Sequence, residues 1–135
     1  MIEIPLSLPE GAPELRVVPM PADVNFAGDI FGGWVMSYVD LAGGFAAARF
    51  AGGRVATVAV NHFVFKQPIS VGDHVSFYTN IVKVGKTSIT VDVQVFAWRH
   101  PNNPIVVKVT EAELTYVALD AEGNKRPVPS LVPPV

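Results

Sequence analysis

Apolar residues fill nearly every position between Gly33 and the glycine pair at 52 and 53. A helix that is apolar on all sides is normally a buried helix. This segment therefore predicts one long central helix. A loop that carries Asp, Asn and Gly residues, residues 21–33, precedes it. After Gly53 the apolar positions recur every second residue, which is the period of a β-strand.

Four long strands are predicted after the helix, and one short strand before it. In the third long segment Ile89, Val91 and Val93 alternate with polar residues, which predicts one buried and one solvated face. Short turns between the segments favour antiparallel neighbours. The pattern predicts an α+β fold in which a five-stranded antiparallel sheet wraps around the helix. The predicted strands are residues 14–18, 54–66, 74–83, 87–99 and 105–119.

The composition fits one domain, residues 1–135. Half of the residues are hydrophobic and only 16% are charged, which is a high apolar share for so short a chain. The surplus predicts a buried interface between subunits. Prolines near both ends predict an extended arm at residues 1–13 and an extended or disordered tail at residues 127–135.

Charge and side-chain chemistry narrow the class of function. A formal net charge of −2 without a Lys/Arg run argues against nucleic-acid binding. The absence of cysteine excludes a thiolate nucleophile and a disulfide framework. The three histidines, His62, His74 and His100, are too scattered for a metal site. The sequence indicates no signal peptide and no membrane span, so we expect a cytoplasmic protein without a metal, a redox cofactor or a membrane partner.

One charged residue, Asp40, lies in the middle of the apolar helix. Gly32 and Gly33 open that helix, and a ligand can closely approach the backbone N–H groups there. Asp40 follows about two turns later on about the same face, and Asn25 adds a neutral amide in the preceding loop. An oxyanion site, a carboxylate base and an amide suit the hydrolysis of an activated acyl group.

A structural interpretation of Asp40 stays open beside the catalytic one. The carboxylate could cap a loop or pair with Arg49 or Arg54, because a charge in apolar surroundings needs partners. Asp23 and Asp29, which flank the loop glycines, are better explained by turn and helix capping than by catalysis.

Several separated segments resemble the hotdog-fold acyl-CoA thioesterases of the YciA type, over roughly residues 17–129. Phe26 and Ala27 replace a more polar pair of that family, which predicts a more apolar pocket mouth. Lys66 and Gln67 stand where a basic residue directly before Pro68 is expected. The matching segments are MPADVN (20–25), GDIFGGWVM (28–36) with Asp40, GRVATVAV (53–60), PISVGD (68–73), VKVGKTS (82–88) and TYVALD (115–120).

The resemblance implies a hotdog fold and an enzyme that hydrolyses acyl-CoA to a free carboxylic acid and CoA. Asp40 would be the general base or the nucleophile. Asn25 would orient the water or the thioester carbonyl, facing Asp40 of the partner subunit. The N–H groups of Gly32 and Gly33 would form the oxyanion hole. The resemblance also implies a homo-oligomer, namely a dimer with a continuous sheet and a hexamer built from three dimers.

Coenzyme A carries phosphates, so basic side chains and hydroxyl donors are expected along its groove. The best candidates surround a glycine turn, for which an ordinary hairpin is the competing interpretation. The alternative function is a non-catalytic acyl-CoA-binding hotdog module, which would keep the groove but lose the carboxylate of Asp40. The candidate CoA-binding residues are Arg54, Lys83, Gly85, Lys86, Thr87 and Ser88.

Overall fold

The computed structural model describes residues 7–100, 102 and 105–129. These residues contain one long helix, α1, five strands, β1 to β5, and a short 3₁₀ helix at Pro21–Asp23. Residues 1–6 of the predicted arm and residues 130–135 of the predicted tail lie outside the described residues. The elements are β1 Leu15–Val17, α1 Gly32–Ala51, β2 Val55–Phe65, β3 His74–Val84, β4 Ser88–Arg99 and β5 Ile105–Ala118.

The five strands form one sheet in the order β1-β3-β4-β5-β2, and every neighbouring pair is antiparallel. The helix α1 packs against strands β2 to β5. The predicted five-stranded antiparallel sheet around one long helix is therefore confirmed. Each strand begins and ends within one residue of its prediction, because glycines, prolines and polar pairs mark the strand ends in the sequence.

The strands β2 and β3 are not neighbours, so the expectation that each turn joins adjacent strands is wrong here. β2 pairs with β5, while β3 pairs with β1 and β4. The connection of residues 66–73 crosses between them and is held by a buried carboxylate. Asp73 is 5% exposed, and its Oδ2 accepts hydrogen bonds from Ser70 N at 2.9 Å and Arg99 Nε at 3.0 Å. These bonds fix a crossing that the short-turn rule does not anticipate.

The core lies between the inner face of the sheet and one side of α1. Val91 and Val93 are fully buried, as the alternation along their strand predicts. Val39 and Ala42 face them from the helix and are also fully buried. α1 ends at Gly52, whose φ of 71° suits a residue without a Cβ and whose N–H donates to Ala48 O.

The sheet covers only part of α1, and apolar side chains on the remaining side are exposed within one chain, where the sequence predicts an interface between subunits. Met36, Leu41 and Phe45 are 43%, 43% and 46% exposed. The edge strand β2 likewise exposes Val58 and Val60. These are apolar residues of the kind that a second subunit would cover. They do not make α1 a membrane helix, since no helix among the described residues is long and apolar enough to cross a bilayer.

Candidate active site

Asp40 lies near the middle of α1 and is held by two neighbouring strands. Its Oδ1 accepts hydrogen bonds from Thr57 Oγ1 at 2.7 Å and from the Tyr116 hydroxyl at 3.1 Å. Thr57 in β2 and Tyr116 in β5 are paired in the sheet register. Both donors meet the same oxygen, and within the described residues no hydrogen bond ends on Oδ2. One oxygen of the carboxylate is thus fixed, while the other is available.

Tyr116 reaches α1 from inside the core and is 1% exposed. Its hydroxyl also donates to the backbone carbonyl of Asp40 at 2.9 Å. Burial, together with the negative charge of Asp40 and the hydrogen bond to it, raises the pKa of Tyr116 well above its ordinary value. The phenol therefore keeps its proton at neutral pH and remains a hydrogen-bond donor to Asp40.

The ion-pair interpretation of Asp40 is wrong for Arg49, which pairs elsewhere. Arg49 Nη1 donates to Glu14 Oε2 at 3.2 Å and links the end of α1 to the segment before β1. Among the described residues no salt bridge joins Asp40 to Arg54 either. The Asp40 carboxylate is held by hydroxyl groups and not by a cation.

The loop before α1 is shaped by Asn25. Its Oδ1 accepts from the backbone N–H groups of Ala27 at 2.9 Å and Asp29 at 3.0 Å. Asp23 has the predicted capping role, since its Oδ2 accepts from Met20 N at 2.7 Å. The carbonyl end of the Asn25 side chain is used locally, and its Nδ2 donates to none of the described residues. That amide is the end of Asn25 that can reach a ligand.

The start of α1 has no side-chain cap, because its N-cap position is Phe31. The first N–H groups of a helix have no intrahelical acceptor and carry the positive end of its dipole. Gly32 lines a cavity of about 380 Å³ beside Val35 and Phe65. Backbone donors are thus available next to an open cavity, as an oxyanion site requires.

The structure does not bring the two halves of the predicted site together within one chain. Gly32 and Asp40 are separated by eight residues of α1, which corresponds to about 12 Å along the helix axis. A reacting carbonyl must lie about 3 Å from the oxyanion donors and within reach of the carboxylate. Asp40 and the helix start of the same chain therefore cannot act on one carbonyl group.

The candidate CoA-binding residues all lie at one end of the sheet, before β2 or in and beside the turn between β3 and β4. Lys83 and Ser88 share a cavity of about 490 Å³ with Asn61. Arg54 lies just before β2, and its Nη1 is 3.9 Å from the position that a Cβ on Gly123 would take. The six residues are thus close enough to contact one extended ligand, and their role in CoA binding stays a prediction.

The turn between β3 and β4 has no room for a side chain at Gly85. Gly85 N donates to Ser88 O at 2.8 Å, and a Cβ on Gly85 would lie 2.5 Å from Ser88 Oγ. The backbone carbonyls of Lys86 and Thr87 accept from Val128 N and Ala118 N, both at 2.9 Å. The Gly85 N–H is used within the hairpin and is therefore not available to a ligand.

Lys66 lies next to the cavity at the start of α1 but is paired. Its Nζ is 2.8 Å from Glu111 Oε1, and Lys108 Nζ is 3.1 Å from the other carboxylate oxygen. The two lysines lower the pKa of Glu111 to about 2. Lys66 thus shares a charged carboxylate with a second cation.

Sequence reasoning missed the two hydroxyl donors to Asp40. Thr57 looks like an ordinary strand residue, since β-branched residues favour strands whether or not they have a further role. Tyr116 carried a weak signal, because a tyrosine in a buried strand needs a polar partner for its hydroxyl. Neither pattern indicates which helix residue the hydroxyl meets.

The family assignment rests on the matching sequence as well as on the fold. The profile of the thioesterase superfamily matches residues 27–101, and the chain belongs to that superfamily. Within it, the chain belongs to the hotdog-fold acyl-CoA thioester hydrolases of the YciA type. The acyl-CoA thioester hydrolase YciA of Salmonella typhimurium is 46% identical over 123 residues, which cover 90% of this chain and 92% of that protein.

Solved structures of similar proteins support the same family assignment. A hexameric hotdog-fold thioesterase of Campylobacter jejuni has a TM-score of 0.84 at 44% identity and covers 88% of this chain and 91% of its own. An acyl-CoA hydrolase from Staphylococcus aureus, solved as an aspartate-to-alanine variant, has a TM-score of 0.78 at 29% identity, covering 85% and 70%. A threonine-to-alanine variant of that hydrolase was also solved, and the two changed positions are 17 residues apart, as Asp40 and Thr57 are.

Proposed function

We propose that this chain hydrolyses acyl-CoA thioesters to a free carboxylic acid and CoA, with Asp40 as the catalytic carboxylate. The observation that carries the proposal is the environment of Asp40. Thr57 and Tyr116 both bond to Oδ1, so Oδ2 is presented as the reactive oxygen. The hydrolase names of the relatives and the family membership support the same reaction.

A carboxylate can promote the reaction in two ways, and both use Oδ2 of Asp40. As a general base it takes a proton from water while the water oxygen attacks the thioester carbonyl. As a nucleophile it attacks that carbonyl itself, and water then hydrolyses the mixed anhydride. In either route the C–S bond breaks, CoA leaves as the thiol after protonation, and backbone N–H groups stabilise the negative carbonyl oxygen.

The N–H donors for that oxyanion come from Gly32 and Gly33 of a partner subunit, and Asn25 of the same partner enters the site beside them. The separation of about 12 Å between Gly32 and Asp40 in one chain supports this division. Exposed apolar residues on α1 and the free edge of β2 give a second copy a surface to cover. The Campylobacter relative is hexameric, and we propose a hexamer, built from three dimers, for this chain.

The CoA moiety is proposed to lie at the sheet end that carries Arg54, Lys83 and Lys86. Thr57 follows Arg54 by three strand residues, a distance of about 10 Å. Cationic side chains at that end therefore lie near Thr57, which bonds to Asp40, and can reach the phosphates of an extended CoA moiety. The Staphylococcus hydrolase has been solved with butyryl-coenzyme A, which supports a CoA ester as the ligand class.

Mixed oligomers test the proposed function and the shared site together. Asp40→Asn and Asn25→Ala subunits, each with a different affinity tag, are co-expressed, and the doubly tagged oligomers are assayed for thiol release from acyl-CoA. A site shared between subunits combines an intact Asp40 with an intact partner Asn25 in half of the sites of each mixed dimer. Activity well above that of either parent oligomer is expected. Activity no higher than the parents would contradict a shared site.

A further inference from the structure

The hydroxyl of Tyr116 lies at an unusual position for a core tyrosine. The ring is fully buried in β5, yet its oxygen bonds both to the backbone carbonyl of Asp40 at 2.9 Å and to Oδ1 of the same residue at 3.1 Å. A tyrosine hydroxyl has a single proton to donate. That proton is therefore shared between the main chain and the side chain of Asp40.

Gly43 is the residue that makes room for this contact. An added Cβ at position 43 would collide with the Tyr116 hydroxyl oxygen and would lie 3.1 Å from Cζ of the ring. The next glycine differs, since a Cβ on Gly44 would meet only ring atom Cε2 at 3.7 Å, an ordinary contact distance. Gly43 is one turn beyond Asp40, on the side of α1 that faces β5. The absent side chain at 43 thus lets the phenol reach Asp40.

We propose that Tyr116 is a positioning residue for hydrolysis: seated against Gly43, it acts with Thr57 to hold Oδ1 of Asp40 and so to present Oδ2 to the reacting carbonyl or water. The inference rests on the proposed role of Asp40. Thr57 fixes the carboxylate from β2 and Tyr116 fixes it from β5, so two rigid strands set the rotation of one side chain. Orientation of a reacting group is worth large factors in rate.

The shared proton gives Tyr116 a second part in the same step. While Asp40 is ionised, the hydroxyl proton is attracted to Oδ1. When Oδ2 has taken up a proton or formed an acyl bond, the charge on Oδ1 falls, and the same proton bonds to the backbone carbonyl. The buried hydroxyl then keeps a partner at each stage, so no unsatisfied polar group opposes the reaction.

The first test is Tyr116→Phe, which removes the hydroxyl and keeps the ring. A hydrogen bond to a charged group contributes enough for an expected fall in kcat of about ten-fold, with Thr57 still in place. KM should change by less than about two-fold, because the phenol does not touch the substrate. An unchanged kcat in the folded variant would overturn the proposal, and so would a loss that appears only in KM.

The second test uses the adjacent glycines as a matched pair. Gly43→Ala displaces the phenol from Asp40 without altering a hydrogen-bonding group, so kcat should fall as in Tyr116→Phe. Gly44→Ala makes the same chemical change one residue away and should leave kcat near the wild-type value. Equal kcat values in the two folded alanine variants would contradict a role for the space that Gly43 leaves for the Tyr116 hydroxyl.

A third comparison separates positioning from plain core packing. In an Asp40→Asn background, Tyr116→Phe should cause no further fall in the residual kcat, because Tyr116 acts through the ionised carboxylate. A further ten-fold fall would show that Tyr116 acts independently of Asp40 and would overturn the inference. Retained activity in Asp40→Asn alone is a different result, since it would remove Asp40 from the mechanism and refute the proposed function itself.

Discussion

The ring of Phe65 lies against Gly32: its Cζ is 3.3 Å from the position that a Cβ at Gly32 would occupy. This contact closes one side of the cavity at the start of α1. The neighbouring Gly33 is different, since a Cβ there would meet no atom within 4 Å. The two glycines predicted to form the oxyanion hole therefore have different steric surroundings, although they are adjacent in sequence.

Gly33→Ala tests direct approach of a ligand to the helix start. The added methyl group enters open space in the free protein, and alanine favours helix more than glycine does, so the melting temperature should not fall. We expect kcat/KM for acyl-CoA to fall by about ten-fold or more, because the methyl occupies the place of the substrate. Steady-state kinetics with a melting curve measures both. A variant with wild-type kcat/KM would remove Gly33 from the contact surface.

Arg126 is predicted to stabilise the end of α1 without affecting catalysis. Its Nη2 donates to Ala51 O at 2.8 Å and its Nε donates to Leu119 O at 3.0 Å. Arg126→Ala leaves these carbonyls without the cation and should lower the free energy of unfolding by about 1–3 kcal/mol. Denaturant melts would measure this, with the exposed Lys125→Ala as the control. A variant as stable as the wild type would show that water replaces the guanidinium without cost.

The charge cluster around Glu111 makes a pH-dependent contribution to stability. Hydrogen bonds from Lys66 and Lys108 lower the pKa of Glu111 to about 2. Because the folded pKa lies below the unfolded value, the contribution is present above about pH 4.5 and is lost as the pH falls towards 2. The Glu111 side chain is 30% exposed, so solvent screens its ion pairs and the contribution stays below about 1 kcal/mol.

Glu111→Gln should therefore destabilise the protein slightly near neutral pH and much less in acid. Urea melts of the wild type and the variant at about pH 7 and about pH 3 give the two differences. Glu122→Gln, an exposed residue in the turn after β5, serves as the control. A destabilisation that persists undiminished in acid would mean that Glu111 acts through packing and not through its charge.

Phe26 is predicted to influence the choice of acyl group. It is fully exposed, at 107%, and it directly follows Asn25 in the loop before α1. If Asn25 enters the partner's site, the adjacent ring supplies apolar surface at the site entrance. Phe26→Ala should raise KM for long or aromatic acyl-CoA several-fold and leave acetyl-CoA nearly unaffected. An identical change for all chain lengths would assign Phe26 to general loop structure.

Local patterns in the sequence were enough to predict the helix and the strand boundaries. Gly52 could be interpreted as a helix end because glycine, which has no Cβ, accepts a positive φ without strain. The pairing of β2 with β5 could not be predicted in the same way, since it depends on the anchored crossing at Asp73. Nothing in the residues around position 73 indicates where the crossing leads.

The candidate site was predicted residue by residue, but its spatial arrangement was not. Asp40 was conspicuous as the single charge in the middle of an apolar helix. Its partners Thr57 and Tyr116 lie 17 and 76 residues further along the chain, on strands that meet only after folding. A pairing with Arg49 was expected because a charge in apolar surroundings needs a partner, but Glu14 takes that arginine instead.

The most direct measurement is thiol release from a panel of acyl-CoA esters, from short to long and from straight-chain to aromatic. Wild-type protein and Asp40→Asn are assayed in parallel after folding and CoA binding have been checked for both. We predict release by the wild type and a loss of most turnover in the variant. Undiminished turnover in Asp40→Asn would contradict the role of the carboxylate. Tight binding of the esters without any release by the wild type would show a binding module in place of an enzyme.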